Sequence, residues 1–288
     1  MTALRALAPA KVNLCLFVGA PRADGLHPLA SVVQSLSLAD ELTLAPGDGP
    51  ADQVVCPGVE GPNLAARALA DFRTATGWDA GPQRLEIVKR VPVAGGMGGG
   101  SGDAAAALRL AAAAAGIEDD RLLHRLAAGL GADVPAQLRP GRALMLGAGE
   151  RVVRLPDPEP FGVLVVPLDA TLSTPDVYRE FDRIATPRDS ATLARLEAEL
   201  SAGAPPPIGN DLEAAARALC PAIDPVLEAV RATGARHALV SGSGPTVIGL
   251  FDTADAAVAA AVELRTAGHA RAVAAEPVAA SAAEPVPA

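Results

Sequence analysis

Apolar residues recur at every second position between Ala10 and Val18. A repeat of two residues is typical of a β-strand, so we predict a strand here. Lys11 and Asn13 fall on the same side of that strand, about 7 Å apart along it. Two polar side chains on one face of an otherwise apolar strand are candidates for a functional site.

The pattern predicts further elements in the first half of the chain. Strands are expected over 31–44 and over 85–91, and the second leads into a glycine-rich block. Helices are expected over 63–72, in the alanine-rich stretch up to 115, and over 119–130, with Asn63 as a candidate cap of the first.

Three prolines in alternate positions between Leu155 and Pro160 discourage helix and sheet, so this segment is the predicted linker between two domains. Beyond it, strands and helices interleave without a repeated strand–helix–strand rhythm, which favours the α+β class. The predicted strands cover 163–166, 237–240, 247–251 and 270–274, and the predicted helices cover 176–184, 191–200, 211–219, 225–231 and 254–266. The predicted domains are 1–155 and 156–275, followed by a tail over 276–288 that is expected to be disordered.

Composition and charge narrow the class of protein. A chain of 288 residues is long enough for a sizeable core. Half of its residues are hydrophobic but only 2% are aromatic, so Ala, Leu and Val must form most of the core. The formal charge of −9 argues against nucleic acid as a partner, because nucleic-acid binding needs a basic face. No apolar stretch has the length of a transmembrane helix, so we expect no membrane partner.

The number and spacing of the cysteines indicate the cellular compartment in which the protein is expected. Cys15, Cys56 and Cys220 are scattered, and their spacing fits neither a metal site nor a disulfide framework. Because such usage is typical of a reducing compartment, we expect cytoplasmic localisation. The expected partners are small molecules, and no obligate protein partner is evident in the sequence.

The densest chemical signal is the glycine-rich segment from Pro92 to Asp103. Glycines have no Cβ atom to obstruct a bulky anion, and their amides can turn toward one point. The alanine-rich helix behind the segment, with Ser101 or Asp103 as its expected N-cap, adds the positive end of a helix dipole. The sequence therefore predicts a phosphate-binding loop.

The pattern alone leaves the kind of phosphate site open. A Walker A loop is excluded because no lysine follows the last glycine. A relaxed dinucleotide pattern fits 100–105, with Glu118 or Asp119 as the ribose-binding acid, although the residues from Pro92 to Gly99 separate it from the preceding strand. A flexible surface loop is the remaining alternative.

The segment from Pro92 to Ser101 resembles the phosphate-binding motif of the GHMP kinases, which phosphorylate small-molecule alcohols with ATP. Blocks at 9–14 and 241–247 also resemble that family. Three more blocks, at 22–27, 131–135 and 210–213, resemble members that act on cytidyl-diphospho-methylerythritol. The likeness runs in order from about Pro9 to the final predicted strand. It implies the two-domain GHMP kinase fold, with a ribosomal-protein-S5-domain-2-like N-terminal domain and a ferredoxin-like C-terminal domain, and ATP, Mg²⁺ and substrate in the cleft between them.

The resemblance also assigns catalytic roles. It implies that Asp133 is the general base for the attacking hydroxyl group, that Lys11 beside it stabilises the developing alkoxide, and that Asn13 orients the substrate. The residues by themselves leave two alternatives. Asp133 could simply cap the segment that follows it, and Lys11 could be an exposed lysine at a strand end.

His27 and Tyr178 resemble the residues that contact the cytosine ring in that family. Leu26 departs from the family pattern, because an aromatic residue is usual there and leucine cannot stack with comparable electrostatic complementarity. Tyr178 is the only tyrosine, so we expect it to carry the stacking alone. A solvated turn residue is the alternative for His27.

The remaining assignments concern ATP. Asn63 and Lys89 match positions that line adenosine in relatives, although a lysine at a strand edge is the alternative for Lys89. We expect the loop 241–244 to support the glycine loop, with a purely structural hairpin as the alternative. No carboxylate is assigned to Mg²⁺, which ATP phosphates and water would mostly hold. The residues expected to contact the triphosphate are Pro92, Val93, Ala94, Gly95, Gly96, Met97, Gly98, Gly99, Gly100, Ser101 and Gly102.

Three rival functions remain open at this stage. One is another kinase of the same family, of the homoserine or mevalonate type. The second is a nicotinamide-dependent oxidoreductase that uses the pattern at 100–105. The third is a nucleotide-binding or regulatory protein that has a kinase fold but no catalysis.

Overall fold

Two long antiparallel strands form the centre of the first sheet in the computed structural model, which describes residues 2–93 and 95–288. They are β1 (Leu4–Val18) and β2 (Leu29–Pro46). Every residue of β1 from Ala8 onward is buried, because the strand is covered on both faces. The strand therefore extends beyond the alternating segment that predicted it.

Shorter strands complete this sheet on both sides of the central pair. Their bounds are β3 (Gln53–Val55), β4 (Gln83–Val88), β5 (Arg142–Gly147), β6 (Arg151–Arg154), β8 (Gly209–Asn210) and β12 (Val286–Pro287). Strand β2 pairs with β5 through its first half and with β4 through its second half. The free edge of β1 receives β12 at one end and β8 at the other.

Four helices belong to this half of the molecule: α1 (Leu64–Thr76), α2 (Gly99–Ala115), α3 (Asp120–Leu130) and α4 (Val134–Gln137). Helix α2 packs against β1, β2 and α1 through buried alanines and leucines, which allow a close approach to the sheet. The predicted cap of α1 is confirmed, because the Asn63 side chain accepts a hydrogen bond from the Ala65 amide. Asp119 caps α3 in a similar way, by accepting one from the Leu122 amide.

The predicted N-cap of α2 is wrong. The helix begins at Gly99 and its N-cap is Gly98, whose left-handed backbone (φ +67°) starts the first turn earlier than a Ser or Asp cap would. Ser101 and Asp103 consequently lie inside the helix. Glycine reaches this conformation without steric strain, so it can replace a side-chain cap.

The second sheet has the strand order β11-β7-β10-β9, and all of its pairings are antiparallel. Its last strand lies beside its first, which is the ferredoxin-like arrangement that the family resemblance implies. The bounds of this half are β7 (Gly162–Val166), α5 (Thr174–Ile184), α6 (Ser190–Ser201), α7 (Glu213–Leu219), α8 (Ile223–Ala232), β9 (His237–Val240), β10 (Val247–Phe251), α9 (Ala254–Thr266) and β11 (Val273–Ala275). None of the helices in 2–93 and 95–288 is both long and apolar enough to cross a bilayer.

The C-terminal tail is ordered, so the prediction of a disordered segment over 276–288 is wrong. The Val278 amide donates to the Ser35 carbonyl, and β12 pairs with the first residues of β1. Between these contacts lies a 3-10 helix (Ala280–Ala283) in which Ala283 is buried. A tail rich in Ala and Pro looks unstructured by composition, but its small side chains fit against the edge of the first sheet.

The ordered tail can be tested with two neighbouring alanines. We expect Ala283→Asp to lower the free energy of unfolding by roughly 2 kcal/mol or more, because it places a charge at a buried position. The matched control is Ala282→Asp, since Ala282 is exposed. Thermal melts of the two variants measure the difference. Equal melting temperatures would contradict the packing of the tail.

Candidate active site

A cavity of about 620 Å³ opens between the two sheets. Lys11 and Asn13 reach it from β1, Asp133 reaches it from the start of α4, and Tyr178 and Asp182 reach it from α5. Both halves of the chain therefore contribute to one site, and its volume is typical of a small-molecule site.

Lys11 and Asp133 form an ion pair at this cavity, with 3.3 Å between the ammonium nitrogen and a carboxylate oxygen. The Lys11 ammonium also donates to the Asn13 side-chain oxygen at 2.9 Å. The register between β1 and β2 shifts on either side of this pair, between Pro9 and Lys11 and between Asn13 and Cys15. Such bulges redirect side chains beside active sites, which is consistent with both polar residues facing the cavity.

Asp133 occupies the N-cap position of α4, but its side chain makes no capping hydrogen bond. The carboxylate is therefore available to the cavity, and the sequence-based alternative of a simple helix cap is wrong. The far end of α4 is tied to β1, because the Gln137 amide group donates to the Pro9 carbonyl and Arg109 bridges the carbonyls of Gln137 and Leu7. Burial of the Arg109 guanidinium lowers its pKa to about 10.

The glycine loop lies directly against Lys11. The Lys11 amide donates to the Met97 carbonyl at 2.9 Å. A Cβ atom on Gly98 would lie 3.0 Å from the Lys11 side chain, and one on Gly96 would lie 2.5 Å from the Gly244 carbonyl oxygen. Larger residues would displace the loop at both positions, and both have the positive φ that glycine tolerates.

The loop residues divide by position. Gly96, Gly98 and Ser101 line the cavity, whereas the Met97 side chain is buried in the core and Val93 is largely exposed. Pro92, Gly95, Gly99, Gly100 and Gly102 do not line this cavity, and Ala94 lies outside the described residues.

The loop 241–244 lies against the glycine loop, because the Gly244 carbonyl is close to Gly96. The Ser241 hydroxyl accepts a hydrogen bond from the Asn13 amide, and the Thr246 hydroxyl donates to the Gly95 carbonyl. The Asn210 side chain donates to the carbonyls of Val240 and Gly242, which holds the loop in place.

His27 and Tyr178 form one wall of the cavity. Their ring centroids lie 5.0 Å apart at an interplanar angle of 37°. Burial raises the pKa of Tyr178 to about 12, and the negative charge of Asp133 adds to the effect. Leu26, at the rim, is 51% exposed. The alternative of a solvated turn histidine is wrong, because His27 is buried and its Nε2 lies 2.8 Å from the Asp182 carboxylate.

Lys89, which is predicted to line adenosine, belongs to a buried ion cluster. It lies outside the cavity lining, and its ammonium contacts the buried carboxylates of Asp40 and Asp103. Asp40 also accepts hydrogen bonds from the Arg90 and Val91 amides, at 2.6 and 2.8 Å. The cluster thus joins β2, the end of β4 and the first turns of α2, and it holds both ends of the glycine loop.

Burial and ion pairing have opposite effects on the pKa values of Asp103 and Lys89. Burial raises the pKa of Asp103 to about 6, although the hydrogen bond and the charge of Lys89 partly offset that effect. Burial also disfavours the ammonium of Lys89, but its two carboxylate partners outweigh that penalty and raise its pKa. Asn63, the other residue predicted to line adenosine, caps α1 and does not reach the cavity.

Metal ligands are sparse in this region. Across 2–93 and 95–288, no group of three or more His, Cys, Asp or Glu side chains could hold a metal ion. Magnesium retains several waters and binds readily to nucleotide phosphates, so the residues of this cavity fit the ion only as part of a nucleotide complex.

Comparisons with known proteins agree with this geometry. A family model described as GHMP kinases N terminal domain matches residues 63–141, and one described as GHMP kinases C terminal matches residues 185–270. The chain belongs to the GHMP kinase family. A curated relative from Nocardioides sp., named 4-diphosphocytidyl-2-C-methyl-D-erythritol kinase, is 44% identical over 91% of this chain and 93% of its own length.

Solved structures give the same result for the fold. The crystal structure of a 4-(cytidine 5'-diphospho)-2C-methyl-D-erythritol kinase matches with a TM-score of 0.77 and 38% identity, covering 94% of this chain and 98% of that chain. A homoserine kinase from Cytophaga hutchinsonii matches with a TM-score of 0.71 but at 18% identity, over 99% of this chain and 97% of its own, so it shows the fold alone. The GHMP kinase fold predicted from the sequence is confirmed.

The oxidoreductase alternative is wrong for this GHMP kinase. Strand β4, which precedes the glycine loop, and β5, the next strand after it, pair with different halves of β2 and do not pair with each other. A dinucleotide-binding loop instead opens a crossover between parallel strands.

Sequence reasoning did not single out several residues that shape the site. Asp182 follows Tyr178 by one helical turn, so helical spacing could have placed both on one face of α5. Ser31, which accepts a hydrogen bond from the Asn13 side chain, and Asp40 carry no local signal, because their partners are distant in the chain.

The buried carboxyl group of Asp103 predicts a pH dependence of stability. Its folded-state pKa lies above the ordinary value of 3.8, so its stabilising contribution is complete below about pH 4 and is lost as the pH rises through about 6. We expect the wild type to lose up to roughly 3 kcal/mol relative to Asp103→Asn over that range.

Urea denaturation of both proteins between about pH 4 and pH 7 measures this difference. Asp252→Asn, at a largely exposed carboxylate, is the control and should follow the wild type. A difference between wild type and Asp103→Asn that does not change with pH would contradict the shifted ionisation.

Proposed function

We propose that this GHMP kinase transfers the γ-phosphate of ATP to the 2-hydroxyl group of 4-diphosphocytidyl-2-C-methyl-D-erythritol, a step of the non-mevalonate route to isopentenyl diphosphate. The observation that carries the proposal is the Lys11–Asp133 pair, 3.3 Å apart at a cavity that Gly96 and Gly98 also line. The name shared by relatives that match about nine tenths of the chain supports the choice of substrate.

Asp133 is the proposed general base. Its carboxylate takes the proton of the substrate hydroxyl as that oxygen bonds to the γ-phosphorus and the bond to the departing ADP breaks. A positioned carboxylate of this kind contributes about 10²–10⁴-fold to the rate. Lys11 lies beside the reacting oxygen and stabilises its developing negative charge.

The glycine loop is the proposed phosphate site. ATP supplies the phosphoryl group, and its triphosphate would contact backbone amides of the loop and the hydroxyl of Ser101. The first turn of α2 contains no acidic residue, so the positive end of its dipole is free for an anion. Mg²⁺ would accompany the phosphates and neutralise their charge. The assignment of Asn63 and Lys89 to adenosine stays a prediction.

Asn13, His27 and Tyr178 are the proposed substrate contacts. Asn13 is held by Lys11 on one side and by Ser31 on the other, so its amide group has a fixed orientation toward the cavity. His27 and Tyr178 offer an aromatic wall for the cytosine ring.

A panel of alcohol substrates tests the proposal. A coupled assay with ATP and magnesium measures ADP release. We expect that release to depend on 4-diphosphocytidyl-2-C-methyl-D-erythritol. Homoserine and mevalonate should give rates at least 100-fold lower, because neither has a ring that can pack against His27 and Tyr178. Preference for either of those alcohols would overturn the substrate assignment.

Asp133→Asn separates catalysis from binding. We expect kcat to fall by about 10²–10⁴-fold, because the amide cannot accept the proton. The affinity for ATP, measured by calorimetry, should change little because Asp133 approaches the reacting hydroxyl rather than the nucleotide. Asp252→Asn, remote from the cavity, serves as the control. A variant with near-normal kcat would rule out Asp133 as the base.

A further inference from the structure

The hydrogen bond between His27 and Asp182 at the cavity wall fixes the hydrogen position on His27. Nε2 of His27 lies 2.8 Å from an Asp182 carboxylate oxygen. An ionised carboxylate can only accept hydrogen bonds, so Nε2 must carry the hydrogen. In the neutral imidazole, Nδ1 is then left as an acceptor.

Helix α5 holds this ring from three directions. Tyr178 packs on it with centroids 5.0 Å apart, and Phe181 meets it edge-on with centroids 6.2 Å apart. Asp182 is the neighbour of Phe181 and binds the ring through Nε2. The side chain of His27 is only 6% exposed, so both the orientation and the tautomer of the ring are set by α5.

The remaining ring nitrogen is the one available to a ligand. Among residues 2–93 and 95–288, Nδ1 of His27 has no hydrogen-bond partner, and His27 lines the cavity. Cytosine presents an exocyclic amino group, which donates, whereas uracil presents a carbonyl oxygen at the same ring position, which accepts. An acceptor at Nδ1 pairs with the first and repels the second.

We propose that Asp182 is a positioning residue that makes this kinase select the cytidine form of its substrate over the uridine form, by holding His27 in the tautomer that accepts at Nδ1. The inference rests on the proposed function, because it places the base of the substrate beside His27. Asp182 acts through the imidazole, and the discrimination comes from the Nδ1 lone pair.

The test compares kcat/KM for 4-diphosphocytidyl-2-C-methyl-D-erythritol and for its uridine counterpart at about pH 8, where an imidazole is neutral. In Asp182→Ala the ring is free to adopt either tautomer, so we expect the cytidine-to-uridine ratio to fall at least tenfold. Asp182→Asn can still present an oxygen to Nε2 and should retain the ratio.

Glu180→Ala is the matched control, because it removes a carboxylate of α5 that pairs with Arg183 and does not line the cavity. Its ratio should equal that of the wild type. If Asp182→Ala lowers the activity on both substrates by the same factor, Asp182 has only a structural role and the proposal is overturned. A wild-type enzyme inactive on the cytidine substrate would instead refute the proposed function.

A second readout needs no substrate. Nitrogen-15 NMR distinguishes a protonated ring nitrogen from an unprotonated one, and the chain has only four histidines to assign. We expect wild-type His27 to show hydrogen on Nε2 and none on Nδ1 at about pH 8, and Asp182→Ala to show a mixture of the two tautomers. Hydrogen on Nδ1 in the wild type would overturn the proposal, whatever the activity assays give.

Discussion

Lys11 is the residue on which the site depends, because it connects three segments that are far apart in the sequence. Its backbone amide holds the glycine loop through Met97, and its ammonium holds Asp133 at the start of α4. Its other contact, Asn13, shares its face of β1 and receives support from the loop 241–244. One buried strand therefore fixes the distance between the phosphate loop, the carboxylate and the substrate side of the cavity.

The glycine loop is anchored by contacts on either side of it, although it contains few side chains of its own. The Asp40–Lys89–Asp103 cluster holds its two ends, and Gly96 and Gly98 let it approach the Gly244 carbonyl and Lys11 more closely than a side chain would allow. A buried ion cluster is weak evidence for net stability, because desolvation opposes the attraction between its charges. Its contribution here is geometric, since amides must already be oriented if they are to bind phosphate without reorganisation.

Local patterns in the sequence predicted much of this fold, whereas long-range partners could not be predicted in the same way. The alternation of apolar residues around Lys11 predicted strand β1 and the face that Lys11 shares with Asn13. The Asn63 cap was predicted from the residue type and its place before a helix. The buried pairing of Lys89 could not be predicted, because its partners Asp40 and Asp103 come from other elements. The prediction of a disordered tail over 276–288 was wrong because composition alone does not show that the tail pairs with the edge of the first sheet.

The net charge of −9 does not prevent this fold from binding a triphosphate, because binding depends on the local distribution of charge. Near the glycine loop, the carboxylate of Asp103 lies only a few residues from the start of α2, where it would repel an anion if it were exposed. Instead it is buried and pairs with Lys89. At the cavity, Asp133 is similarly paired with Lys11. Asp103 and Asp133 are thus each paired with a lysine, so their negative charge is partly neutralised and the loop amides remain available to bind an anion.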